Sequence, residues 1–323
     1  MTYKVNSNSR RDELKINRLS SFLYQEGKVN VANIVPIKAN VFLVKTSDGN
    51  KVILKKHRKK EDVDQQWDFF DKLSTSIVIP FRRFPNGKKI LISNGYYWTI
   101  APFIEGTKLN YAINDDRKAC LATLRAFHER AEDIRVTNPL RRKLFYKRWY
   151  KRLQSFKNTR DYFLNYGFEN LFKDIVQTTE TQLRLVSELP WERLERKAEE
   201  KRVWIHGDVA SHNFIRSRDV YMIDFDLLGQ SPQIYDYIQL AQRFLPYLDW
   251  NLDKLISYRM VEDSQLKFWI LAMTVPSDVL REWLHFLSRN STMSMEEYLT
   301  NMENEWIKRQ EFLKNAKAML KLY

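Results

Sequence analysis

The stretch Ile205-His206-Gly207-Asp208-Val209-Ala210-Ser211-His212-Asn213-Phe214, followed shortly by Tyr221-Met222-Ile223-Asp224-Phe225-Asp226, decides how the rest of the chain is read. In each part apolar residues lead into a short polar cluster. Asp208 and Asn213 are five apart, and Asp224 lies eleven beyond Asn213. A phosphoryl-transfer site uses this spacing: one Asp as base, one Asn and one Asp on magnesium, brought together by a β-hairpin. The chemistry explains the residue types. Transfer to a hydroxyl passes through a loose transition state, so Asp208 need only orient the hydroxyl and accept its proton. Asn213 supplies a neutral oxygen and Asp224 a charged one, hard ligands of the kind magnesium takes. His206 is placed to brace the loop, and His212 has no assignable chemical role. Three fixed positions recur by chance, but strand residues flank the motif on both sides and a second Ile-Asp-Phe follows at hairpin distance. A metal-hydrolase reading of His206, Asp208 and His212 lacks a further His/Asp pair at a ligating spacing.

Upstream, the chain supplies a sheet. Residues 12–27 have the spacing of a short helix. Ile34-Val35-Pro36-Ile37 and Val41-Phe42-Leu43-Val44, then Lys51-Val52-Ile53-Leu54-Lys55 after the turn signal Ser47-Asp48-Gly49-Asn50, form a β-pattern. A lysine ending such a Val-Ile-Leu-Lys run reaches the α- and β-phosphates in a kinase-like lobe. Glu61 to Leu73 reads as an amphipathic helix. Ile77 to Pro80, Lys89 to Ser93 and Tyr96 to Ala101 read as short strands, the last two joined by Asn94-Gly95. The run 101–106 is a connector whose backbone can meet an adenine edge, or a plain strand-to-helix loop.

Downstream of it helix patterns dominate, at 115–132, 139–160, 170–189 and 191–200. The segment 139–160 carries nine Lys/Arg and no Asp or Glu, with aromatic residues interleaved. A nucleic-acid or membrane surface has that composition. Phe145, Trp149, Leu153 and Phe156 are also a core stripe at helical spacing, and that reading is preferred, which makes nucleic acid an unlikely partner and leaves the basic face for an acidic one. After the motif, Ser231-Pro232 starts a helix, and 251–322 reads as three more, the last opened by the capping box Ser294-x-x-Glu297. The fold class is α+β: a small antiparallel-sheet lobe followed by a large helical one.

The totals agree with a folded protein of one large domain or two lobes: 323 residues, 44% hydrophobic and 14% aromatic. The formal charge of +14 suits an anionic partner, whether nucleotide, nucleic acid, anionic lipid or acidic protein, without choosing among them. One cysteine, Cys120, excludes an internal disulfide and a cysteine-based zinc site, and fits a reducing compartment. Residues 1–19 lack the apolar core of a signal peptide, and no apolar run approaches the ~20 residues of a membrane span.

His206-Gly207-Asp208 with Asn213, then Ile223-Asp224-Phe225, resembles the aminoglycoside-phosphotransferase/choline-kinase branch of the protein-kinase-like superfamily. Within that branch the general likeness is to the spore-coat CotS group of spore-forming bacteria. The resemblance covers nearly the whole chain in order: the Val52-Ile53-Leu54-Lys55 strand, the connector at 101–106, the motif and Asp236. It implies a bilobal protein-kinase-like fold with a nucleotide-binding lobe at 1–100, a hinge at 101–106 and a helical lobe at 107–323 holding the catalytic loop 204–226. It implies ATP and Mg2+ as cofactors, Lys55, Ala101 and Phe103 at the nucleotide, Asp208 as base, and Asn213 and Asp224 on the metal. His206 and Asp236 would support the site, Asp236 by tying the helical lobe to the catalytic loop. The acceptor would be a hydroxyl of a small molecule or spore-coat component, the location the mother-cell cytoplasm or the spore coat, and an acidic coat protein a partner. A catalytically degenerate scaffold of the coat is the alternative.

Three departures from the pattern stand out. The hairpin at about 36–44, which would cover the phosphates, contains no glycine. The helix after Lys55 offers Gln65, Gln66 and Asp68 at its middle where a kinase places the glutamate that pairs with the lysine. Gly207 stands where regulated protein kinases carry an arginine, which favours a small-molecule kinase over a switched protein kinase.

Overall fold

A computed structural model describes residues 7–140, 144–289 and 291–322, with side chains from Ile16 onward. Three of the basic residues of the 139–160 segment, at 141–143, lie outside the described residues. The chain forms two compact units. One takes in the chain up to Lys108, with Arg135–Leu140 and Phe214–Asp226; the other takes in Leu109–Ile134, Arg141–Asn213 and the chain from Leu227 on.

The first unit begins with α1 (Ser7–Gly27) and is built on a five-stranded antiparallel sheet. Its strands are β1 (Val31–Lys38), β2 (Val41–Thr46), β3 (Lys51–His57), β4 (Leu91–Ser93) and β5 (Tyr96–Pro102), in the order β1-β2-β3-β5-β4. One face is apolar: Ile34, Val44, Leu54, Trp98 and Ile100 pack with Leu23 of α1 and with Phe84 and Leu91. Leu54 is fully buried, so Leu54→Ala would cost about 2–5 kcal/mol. Side chains alternate along a strand, so burying Leu54 sends Lys55 to the opposite face. α2 (Lys60–Phe70) follows β3, and the short strand β6 (Thr107–Lys108) follows β5.

The second unit is helical. Its first five helices are α3 (Asn114–Arg130), α4 (Phe145–Lys157), α5 (Arg160–Asn165), α6 (Glu169–Ser187) and α7 (Trp191–Glu200). Phe145, Trp149, Leu153 and Phe156 are buried along one side of α4, as the helical spacing requires. Phe145 meets the rings of Trp149, Trp191 and Tyr235, while Phe156 stacks on Phe172. These rings are core, and the basic residues of α4 take the remaining faces.

Four short strands then bracket the motif: β7 (Trp204–Ile205), β8 (Phe214–Arg216), β9 (Val220–Met222) and β10 (Gly229–Gln230). In the second unit β7 pairs with β10, Ile205 opposite Gly229. In the first, β8 and β9 form the expected hairpin, with β6 on its outer edge. Residues 77–80, expected as a strand, make one parallel bridge, Val78 to Met222 of β9. Pro80 has no N–H to extend that ladder.

The helical unit closes with α8 (Ile234–Phe244), α9 (Leu252–Ile256), α10 (Asp263–Met273), α11 (Ser277–Ser288) and α12 (Met295–Leu320). Four helices stand in 251–322 where three are expected. The additional one, α9, is a short turn started by Asn251, whose side chain accepts from the Lys254 N–H at 2.8 Å. Ser294 caps α12 through the Glu297 N–H at 3.1 Å, as the capping box requires.

Candidate active site

The candidate residues fall on both units, and each group is built from its own surroundings. In the helical unit, β7 delivers His206, Gly207 and Asp208 at the end of a fully buried strand. Gly207 has φ +81°, and a Cβ there would overlap the Leu227 carbonyl oxygen. Only glycine fits both the left-handed backbone and the close approach. The turned backbone leaves two consecutive N–H groups pointing inward. Asp236 in α8, wholly buried, accepts both: Oδ2 from His206 N at 2.8 Å and Oδ1 from Gly207 N at 2.9 Å. His128 of α3 adds a contact to Oδ2 at 3.0 Å, and its other ring nitrogen meets the Tyr237 hydroxyl at 3.1 Å. His206 Nδ1 accepts the Asp208 N–H at 3.2 Å, and the Tyr111 hydroxyl donates to the Val209 carbonyl at 2.9 Å. The backbone from His206 to Val209 is thus held by buried partners.

Asp208 itself is about a third exposed, its side chain at 36%. Asn213 is almost fully buried. The Asn213 Nδ2 group donates to the Asp208 carbonyl at 2.9 Å and to the carboxylate Oδ2 at 3.2 Å. With both amide protons directed at Asp208, the amide oxygen Oδ1 is the atom left for a ligand. The other carboxylate oxygen of Asp208 takes a hydrogen bond from Arg243 Nη2 at 2.7 Å.

In the sheet unit, Phe225 fixes the second half of the motif. It is buried, with its ring edge-on to Phe70 of α2 at 5.4 Å. On either side of it stand Asp224 and Asp226, Asp224 with φ +65°, a region a non-glycine residue seldom enters. Lys55 Nζ sits between them, bonded to Asp224 Oδ1 and to Asp226 Oδ1, the latter at 2.7 Å. Burial pulls the Lys55 ammonium down, but the two carboxylates outweigh it and its pKa lies above the ordinary lysine value. For Asp226, burial outweighs Lys55 and, helped by the Asp224 charge, raises the carboxyl above its usual value. His57, two residues along the same strand face, bonds Thr99 Oγ1 at 2.9 Å. Burial, with the Lys55 charge, depresses its pKa to about 4, so the ring is neutral at pH 7.

The connector lies beside β3 in the same unit. Ala101 pairs with Ile53, and the Phe103 N–H donates to the Lys51 carbonyl at 3.3 Å. The β1–β2 turn at Ala39-Asn40 closes without glycine, since neither residue has a positive φ. On β1, Val35 and Ile37 are exposed on one face, 45% and 49%. Among the described residues, no group of three His, Cys, Asp or Glu side chains could hold a metal ion, and no helix is long and apolar enough to cross a membrane.

A family model described as "Phosphotransferase enzyme family" matches residues 37–258, more than half of the chain and every residue of the motif. The chain belongs to that family. Solved structures add the fold. An aminoglycoside phosphotransferase from Alicyclobacillus acidocaldarius superposes with TM-score 0.68 at 14% identity, covering 100% of this chain and 98% of its own. Amicoumacin kinase hAmiN, in complex with AMP-PNP, Ca2+ and Ami, gives 0.63 at 15%, covering 96% of each. Spectinomycin phosphotransferase APH(9)-Ia, in complex with ADP and spectinomycin, gives 0.58 at 16%, covering 93% and 94%. No curated protein sequence matches the chain. The fold of this family member is bilobal and protein-kinase-like.

Arg243 on Asp208 and His128 on Asp236 are absent from the sequence reading, while Asp226 and His57, around Lys55, have no role in it; His57, expected among solvated neighbours of Lys55, is buried. Asp226 and His57 stand two residues from singled-out ones, and a two-residue spacing from a strand lysine is a usable signal. Arg243 is seven residues past Asp236, two helical turns, so one face of α8 carries both. The glutamate that the middle of α2 lacks has a counterpart elsewhere: the carboxylates on Lys55 come from Asp224 and Asp226.

Proposed function

We propose that this member of the phosphotransferase family transfers the γ-phosphoryl group of ATP to a hydroxyl of a small molecule, with magnesium. The observation that carries the reading is the catalytic loop. A part-exposed carboxylate, Asp208, is set on a backbone that Asp236 holds by two amides, with the Asn213 amide against it. Such a carboxylate suits a base that must stay oriented while doing little bond-making. In the step, the acceptor oxygen forms a bond to the γ-phosphorus. The bond from that phosphorus to the β,γ-bridging oxygen breaks, ADP leaves with the electron pair, and the hydroxyl proton passes to Asp208. Lys55 contacts the phosphates, and Ala101 and Phe103 of the hinge at 101–106 line the adenine, the Phe103 N–H being held by the Lys51 carbonyl. Exposed Val35 and Ile37 give the glycine-free hairpin an apolar surface to set over the nucleotide.

Asn213 Oδ1 and the Asp224 carboxylate would hold the magnesium ion. The donor types fit: an amide oxygen and a carboxylate are hard ligands, and magnesium takes its remaining ligands from phosphates and water. The ion would neutralise charge on the transferring phosphoryl group. The likeness of the motif and of the chain order to the CotS group supports a finer assignment, to a kinase of the spore coat or mother cell acting on a coat-related acceptor with an acidic coat protein as partner.

Thermal denaturation with and without MgATP tests the reading. Stabilisation by several degrees at millimolar MgATP, with Asp208→Asn retaining it but losing ADP release, is the expected result. No shift at any nucleotide concentration would overturn it in favour of the scaffold reading.

A further inference from the structure

Resting on the phosphotransferase reading, we propose that the acceptor carries an anionic group, and that Arg243, Arg281 and Arg152 seat that group beside Asp208. Arg243 leads the argument. Its Nη2 lies 2.7 Å from Asp208 Oδ1, while its Nε is buried with no hydrogen-bond partner among the described residues. A guanidinium has five N–H donors in a rigid fork, and this one spends a single short bond on the base. One charge of its own sign, Arg281, acts on it against the opposite charges of Asp208 and Glu282. After burial, Arg281 on α11 is the neighbour that most lowers the Arg243 pKa. Arg152 on α4 donates through Nη1 to the carbonyl of Ser277, at 3.0 Å. Ser277 is the first residue of α11, one turn before Arg281. Its hydroxyl donates to Gln242, the residue beside Arg243, at 3.2 Å. Three helices, α4, α8 and α11, therefore bring guanidiniums to one place in the helical unit, with Arg148 one turn before Arg152.

The countercharges are too few. Arg309 holds Asp278, and Glu282 pairs with Arg281 at 2.8 Å on the exposed side. Arg152, among the described residues, has a backbone carbonyl and no carboxylate at ion-pair distance. Burial, with Arg281 and Arg148 adding to it and outweighing Asp278 and Glu282, pulls its pKa down to about 10. Among the described residues Arg243 has one carboxylate at ion-pair distance, Asp208, and that carboxylate is the base. Clustered cations partly withdrawn from water, as Arg243 is with its side chain 21% exposed, are unfavourable unless an anion joins them. A carboxylate, phosphate or sulfate on the acceptor supplies it, and the planar forks take such groups in bidentate fashion. An acceptor bearing amines would bring like charge into the same space.

The test uses the full chain with MgATP and follows ADP release with D-glycerate and glycerol 3-phosphate as anionic alcohols, glycerol as the neutral one, and ethanolamine, choline and kanamycin as cationic ones. The expected result is a kcat/KM at least tenfold higher for an anionic alcohol than for glycerol or any amine. Arg281→Gln and Arg152→Gln should each raise KM for that alcohol at least tenfold while KM for ATP stays within twofold. Binding is read separately, as stabilisation of nucleotide-free protein by millimolar glycerol 3-phosphate or D-glycerate, lost in the Arg152→Gln/Arg281→Gln double variant. Preference for an amine acceptor overturns the proposal. So does an absence of both stabilisation and turnover with the anionic probes while MgATP still binds, and that result leaves the phosphotransferase reading intact. Stabilisation by the anionic probes without any MgATP binding supports the anion seat and overturns the phosphotransferase reading.

Discussion

The carboxylate of Asp236, fully buried in α8, accepts the backbone N–H of Gly207 at 2.9 Å and shares its second oxygen with the N–H of His206. Two consecutive amides of one loop thus end on one side chain thirty residues away in sequence. Replacement by Asn keeps the shape but turns an –NH2 group toward one of those N–H groups. Each unsatisfied buried donor costs about 1–3 kcal/mol, so Asp236→Asn should lose about 2–5 kcal/mol in urea unfolding. It should also lose most of its phosphotransferase rate, because the base stands on the loop that is released. A variant as stable as the parent would show that water replaces the carboxylate.

Gly207 is the other half of the same construction. Any side chain there meets both the left-handed backbone, at φ +81°, and the Leu227 carbonyl. The backbone conformation alone costs a residue with a Cβ about 1–3 kcal/mol, and the overlap adds to it. Gly207→Ala should therefore lower the melting temperature clearly and abolish turnover. Gly207→Arg, which restores the residue regulated protein kinases carry, should behave no better, since space and not charge decides.

Much of this was legible before the structure, and the limits have physical causes. The hairpin of Phe214 to Met222 follows from alternation around a polar turn, and the buried stripe of Phe145, Trp149, Leu153 and Phe156 from helical spacing; both patterns are local. The strand expected at 77–80 reads locally as well as the others do, but its one partner is β9, far along the chain, and sequence cannot show whether a partner is free. Arg243 on Asp208 is of that kind. Its position follows from how α8 lies against the catalytic loop, so only its two-turn spacing from Asp236 marks it in advance. The missing glutamate of α2 misleads in the opposite direction, because Lys55 finds carboxylates from a different segment.

His57 makes stability depend on acid in a definite direction. Its folded pKa of about 4 lies below the unfolded value of 6.5, so between those pH values the unfolded chain binds a proton that the folded chain refuses. The contribution is fully present above pH 6.5 and is lost progressively as pH falls toward 4, amounting to about 3 kcal/mol. His57→Gln, which can still reach Thr99 Oγ1, should flatten the fall in melting temperature between pH 6.5 and 4. An unchanged slope in that variant would assign the acid sensitivity to other groups.

Lys55 gives the last prediction. Its ammonium lies between Asp224 and Asp226 and supplies countercharge to both. Lys55→Met keeps the length of the side chain and removes the charge, leaving two acidic groups in contact range in a part-buried setting. One response is protonation, for which Asp226 is the readier because burial already raises its pKa. The other is capture of a cation. Without nucleotide, the parent protein should respond weakly to millimolar MgCl2, because Lys55 competes with the ion for Asp224. The Lys55→Met protein should melt at a lower temperature near pH 7, recover part of the loss on mild acidification, and gain several degrees from MgCl2 alone. Its response to MgATP should be weaker than that of the parent, since the phosphates lose their lysine. Equal MgCl2 responses in the two proteins would mean that Lys55 does not guard the Asp224 carboxylate, and the assignment of Asp224 to the metal would lose its support.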